Sequence, residues 1–140
     1  MKTFSGAYVG VHNVISSDIA TAVGEMMNVK KFFGKTSGRA ALHMMISLPE
    51  EESDVANAPR LMQLCQDVLK ELFPDNQAIF AVHTNTDNLH IHIIVNSVGL
   101  NGKKIHQDNK YIKERLQPCV NKYAKWYNFT PNSEWSKKKS

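Results

Sequence analysis

The segment Leu89-His-Ile-His-Ile-Ile-Val-Asn96 alternates with a period of two, and this constrains the fold more than any other stretch. A strand sends successive side chains to opposite faces. Leu89, Ile91, Ile93 and Val95 therefore share one face, and His90, His92, Ile94 and Asn96 share the other. The first face is wholly apolar and needs a helical layer to bury it. The second is left for chemistry. Residues 77–83 form another apolar run that ends at His83, and the polar residues 84–88 between the two runs read as a turn. An antiparallel hairpin would return His83 to the side of His90 and His92. Three neutral imidazoles plus an open position are the usual composition of a working metal site, so the trio is read as a candidate metal-ligand set.

The rest of the chain supplies that helical layer. Tyr8, Val9, Val11, Val14 and Ile15 suit a first strand over residues 6–15. Ser16-Ser17-Asp18 offers helix-capping chemistry before apolar residues at helical spacing, up to Phe32 or Phe33. Arg39 to Leu48 reads as a second strand, followed by an acidic loop over 49–54. Leu61, Leu64, Cys65, Val68, Leu69 and Leu72 recur as one stripe of an amphipathic helix that starts near Pro59. A last helix spans about 109–127, and residues 128–140 read as a frayed basic tail. The order β-α-β-α-β-β-α predicts an α+β two-layer sandwich, an antiparallel-rich sheet with helices on one face. Residues 1–127 make one domain.

Charge is unevenly spread. The net charge is +4, yet residues 101–140 hold ten Lys and Arg against three Asp and Glu, while the first hundred hold seven against ten. A lysine-rich stretch is usually a solvated face. This one begins just after the histidine strand, at Gly102-Lys103-Lys104, where a phosphate polymer passing a metal would want cations. Cys65 and Cys119 lack metal-type spacing and read as buried thiols of a cytoplasmic protein. No apolar run approaches the ~18 residues of a membrane span.

His83, Asp87, His90-Ile91-His92 and Asn96 together resemble the metal motif of the mobilisation-type DNA relaxases, which belong to the HUH endonuclease superfamily. In that motif a third histidine precedes the His-x-His pair by seven residues, an acidic residue lies between, and an asparagine follows. Phe33-Gly-Lys-Thr-Ser-Gly-Arg39-Ala-Ala-Leu-His43 and Gly102-Lys-Lys-Ile-His106 are also similar to the family, so the likeness covers roughly residues 30–127. The resemblance implies nicking and strand transfer of single-stranded DNA at an origin of transfer, through a 5′-phosphotyrosine, during conjugative mobilisation of a plasmid or integrative element. It implies a divalent ion on His83, His90 and His92, with Mg²⁺ or Mn²⁺ expected and Zn²⁺ or Ni²⁺ as alternatives. Asp87 would orient a ligand histidine, and Asn96 would join the site. Arg39, Lys103, Lys104 and Lys110 would bind DNA, and accessory mobilisation proteins would be partners.

One departure stands out. The family's nucleophilic tyrosine lies near the N-terminus, whereas residues 2–6 here are similar to the segment that follows it. Tyr8 is then either a replacement nucleophile or an ordinary strand residue, and the nucleophile segment is expected to be missing. Two other functions remain open. An HUH replication initiator or single-strand transposase would use a tyrosine on the last helix, Tyr111 or Tyr127. A DNA-binding fragment of a relaxase would hold DNA without cutting it. His12, His43 and His106 stand singly and read as scaffold residues.

Overall fold

A computed structural model describes residues 8–14, 24, 26–27, 39–84, 87–102 and 109–139, excluding the side chains of 39–41, 109–113 and 133–139. The elements are β1 (Tyr8–His12), β2 (Arg39–Ser47), α1 (Ala58–Leu72), β3 (Ala78–His83), β4 (His90–Asn96), α2 (Asn109–Tyr127) and β5 (Asn132–Lys139). Gly24, Met26 and Met27 are helical, within the span where a helix was expected between β1 and β2. The strands form one sheet in the order β1-β3-β4-β2-β5, and every neighbouring pair is antiparallel. The fold is α+β.

Period two does most of the sorting. Leu42, Met44 and Ile46 of β2, Phe80 and Val82 of β3, and Ile91, Ile93 and Val95 of β4 enter one buried cluster. Leu61, Leu64, Val68 and Leu69 of α1 meet them there, with Leu116, Val120 and Ala124 of α2. Each large apolar side chain buried in this way contributes roughly 1.5–3 kcal/mol. Gly10 lies opposite Phe80 across β1 and β3. A Cβ on Gly10 would fall 2.4 and 2.5 Å from Phe80 Cε2 and Cζ, so the aromatic ring occupies the space that any side chain would need.

Four features depart from the expectations. β1 stops at His12 rather than near Ile15, because Asn13 turns the chain with a left-handed φ of 58°. Its Nδ2 donates to the carbonyls of Pro74 (2.8 Å) and Asn76 (3.0 Å). The acidic loop forms a short 3-10 turn, Glu50–Glu52, and a second, Val55–Asn57, follows it. The helices are not confined to one face. Asn96 lies on the histidine side of β4 and is fully buried, and its Nδ2 donates to the carbonyl of helical Met26 at 3.0 Å.

The last correction concerns the basic tail. Residues 132–139 form β5, which pairs with β2 from Ser47 opposite Asn132 to Arg39 opposite Lys139. Lysines on an edge strand discourage pairing with another chain, which suits this polar segment to the sheet's rim. The turn into it is built by α2's end. Asn128 adopts φ 60°, the N–H of Phe129 donates to Ala124 O at 3.0 Å, and Phe129 folds into the core. The guanidinium of Arg60 lies over the Phe129 ring, 4.5 Å from its centroid.

Candidate functional site

The β3–β4 hairpin brings the three predicted histidines together. His83 stands directly opposite His90, and Ala81 opposite His92. Ring centroids are 5.0 Å apart for His83–His90, 4.8 Å for His83–His92 and 5.0 Å for His90–His92. All three side chains are half-buried, on the face away from the α1/α2 core. The chain just before His90 is fixed from the side. Ser53 Oγ accepts from Leu89 N (2.8 Å), Asn88 Nδ2 donates to Leu48 O (3.0 Å), and Leu48 N donates to Leu89 O (2.8 Å). Sequence reasoning missed both: Asn88 sits within the histidine segment but read only as part of its turn, and Ser53 lies 36 positions from Leu89.

The ring spacing can be compared with that of imidazoles sharing one ion. With nitrogen about 2.1 Å from a metal, two rings at right-angled to tetrahedral spacing have centroids about 4.5–5.3 Å apart. The observed 4.8–5.0 Å falls within that interval. His90 Nδ1 lies 3.0 Å from Asn88 O, a carbonyl that only accepts, so the neutral ring carries its proton there and keeps the Nε2 lone pair. Burial, with the charge of His90 adding to it, lowers the pKa of His83 and favours the neutral imidazole a ligand must be. Among the described residues, no group of three or more His, Cys, Asp or Glu side chains is closed around a point that would hold a metal ion. The triangle has the right size, and its closure is left to rotation of the rings.

A fourth histidine joins the cluster. His43 of β2 sits diagonally from His92, because Met45 is the residue directly opposite. Its ring meets that of His92 edge to edge and nearly coplanar, with centroids 5.2 Å apart, and His43 Nε2 lies 3.1 Å from His92 Nδ1. Sequence reasoning placed His43 in the scaffold. The signal was its position on the odd-numbered face of β2, opposite to Leu42, Met44 and Ile46, and reading it required the β2–β4 register.

The other candidates lie elsewhere. Asp87, expected to orient a histidine, is exposed, and the orienting contacts to His90 and His92 described above come from Asn88 and His43. Asn96 is fully buried, its Oδ1 accepting from Val98 N at 3.2 Å while its Nδ2 reaches Met26 O and Gln77 Oε1. Its capacity is spent on holding backbone. Tyr8 pairs with Val82 and packs against the core, on the sheet face opposite the imidazoles. Tyr127 also packs on the core and donates to Asp67 Oδ2 at 2.6 Å, which pushes its hydroxyl up to about 12. Tyr123 donates to Glu71 Oε1 at 2.9 Å. Lys103, Lys104 and His106 lie outside the described residues, as do the side chains of Arg39, Lys110 and Tyr111.

No helix among the described residues is long and apolar enough to cross a membrane. No solved structure matches the chain. Curated relatives do. The chain is 26% identical to protein Rlx of Staphylococcus aureus over 106 residues, covering 75% of this chain and 31% of that protein. It is 27% identical to protein TraI of Escherichia coli over 121 residues, covering 85% of this chain and 16% of that protein. The chain thus spans a third or less of the length of these relatives. The profile of the MobA/VirD2-like relaxase nuclease domain matches residues 2–129, from before β1 to the buried Phe129 that caps α2. With that match across almost its whole length, the chain belongs to the MobA/VirD2-like relaxase nuclease-domain family.

Proposed function

We propose that this chain is the nuclease core of a relaxase that nicks single-stranded DNA at an origin of transfer, with His83, His90 and His92 holding a divalent ion. The observation that carries this reading is the imidazole triangle on the open side of the β3–β4 hairpin. When bound, the ion would supply a positive charge that polarises the scissile phosphate, without a protein charge to offset it. The three side chains fix where that phosphate sits. Ser53 and Asn88 hold the strand start that aims His90. Arg39, Lys103, Lys104 and Lys110 are proposed to track the DNA backbone, and accessory mobilisation proteins to help select the origin. The sheet order also suits the HUH frame, since both histidine strands are central.

The attacking hydroxyl is a separate question. Tyr8 and Tyr127 pack on the core and Tyr123 donates to Glu71, engagements that disfavour all three as the attacking group. That observation also supports a second reading, in which this chain alone holds metal and DNA without cutting. One experiment addresses both. The chain is mixed with Mn²⁺ and single-stranded oligonucleotides spanning the DNA that flanks its gene. Retention of single strands that requires Mn²⁺ and is lost in His90→Ala is the expected result. A covalent adduct mapped to Tyr111 marks nicking by this chain, and retention without adduct marks the second reading. Retention indifferent to both Mn²⁺ and His90 would refute the proposal.

A further inference from the structure

We infer that His43 is a positioning residue that fixes the tautomer of His92, so that His92 presents an unprotonated Nε2 to the centre of the imidazole triangle. The inference rests on the function proposed above. It starts from the 3.1 Å approach of His43 Nε2 to His92 Nδ1 and the near-parallel rings, 12° apart.

Between two imidazole nitrogens, one must donate and the other accept. If His92 Nδ1 donates, its neutral ring has no proton on Nε2, and that nitrogen can present a lone pair to an electrophile. If His43 Nε2 donates instead, His92 carries its proton on Nε2, and the inward atom can only donate a hydrogen bond. The direction of this one bond therefore sets whether His92 is a metal ligand or a phosphate donor. The function proposed above requires the first arrangement, and the neighbouring rings are consistent with it. His90 already points Nδ1–H outward to Asn88 O, leaving its Nε2 unprotonated. His83 faces both rings at 5.0 and 4.8 Å. A trio presenting lone pairs to one point needs His92 to match, and His43 is the acceptor that permits it. The outer partner of a ligand histidine is usually a carboxylate, a carbonyl or water. Here a second imidazole takes that place, reaching across from the diagonal position on β2.

The test reads the proton directly. In the metal-free 140-residue chain labelled with ¹⁵N, long-range ¹H–¹⁵N correlations assign the His92 tautomer. The expected result is a proton on Nδ1; a proton on Nε2 would overturn the inference. Two variants follow. His43→Phe fills similar space without an acceptor, and should give a mixed tautomer and about 10–100-fold weaker Mn²⁺ or Zn²⁺ binding by calorimetry. His43→Glu restores an acceptor of different shape, and should return both the Nδ1 proton and the affinity. A packing role alone would not show that rescue. His43→Phe with an unchanged tautomer would refute the inference. Failure of the unsubstituted chain to take up either metal would instead refute the metal site proposed above, while the tautomer would still decide the role of His43.

Discussion

Replacing Asn96 with Ala separates a structural tether from a catalytic group. The side chain is fully buried, donates to Met26 O at 3.0 Å, and accepts from Val98 N at 3.2 Å. The 3.4 Å contact with Gln77 Oε1 is long and adds less. Alanine takes a hydrogen bond from one buried carbonyl and from one buried amide, at about 1–3 kcal/mol each. The expected loss is therefore about 2–6 kcal/mol, a large share of the ~5–15 kcal/mol that holds a typical domain. With a urea slope of about 2 kcal/mol/M, the midpoint should fall by about 1–3 M. Urea titration followed by circular dichroism measures it, and calorimetry on the variant below its transition measures metal uptake. A lower midpoint with unchanged uptake is expected. An unmoved midpoint with lost uptake or lost nicking would refute the tether and return Asn96 to the chemistry.

Three further outcomes follow from the same geometry. Gly10→Ala should destabilise the fold by about 1–3 kcal/mol, because the new methyl meets the Phe80 ring; an unchanged melting curve would show that the ring moves freely. His90→Ala should weaken metal binding strongly in calorimetry while the far-ultraviolet dichroism stays unchanged, since this half-buried side chain lies outside the core cluster. Burial lowers the pKa of His12, opposed by its hydrogen bond to Phe73 O at 2.9 Å and aided by the charge of Lys70. The unfolded chain takes up that proton near pH ~6.5 and the folded chain only below it, so the contribution is complete above ~6.5 and is lost as pH falls through that value. Urea midpoints at several pH values should drop on acidification, and His12→Gln should flatten part of that slope.

Much of this was legible because period two is a rigid rule. The alternation in 89–96 placed Ile91, Ile93 and Val95 inside and His90 and His92 outside, and the hairpin returned His83 to them. The stripe from Leu61 to Leu69 likewise faces the core. What escaped notice depends on contacts between distant residues. His43 joins the site only through the β2–β4 register, and Ser53 through a hydrogen bond 36 positions away in sequence. Asn96 shares the strand face of the histidines, yet the helical segment at Met26 covers it, and no local pattern announces that cover. β5 was missed because its sequence is polar. Its pairing energy comes from β2, which a reading of residues 132–139 by themselves does not contain.

The position of β5 bears on how the protein is made. Strand β2 carries three of the most buried side chains, Leu42, Met44 and Ile46, and it pairs on one flank with a segment that begins 85 residues after β2 ends. On a ribosome, β2 is synthesised before β5 and must wait for those residues before that flank is sealed. Closing so long a loop slows assembly, and the bare flank is meanwhile open to neighbouring nascent chains. Trimming the lysine-rich end to improve solubility would leave that flank open permanently, and so favour aggregation instead.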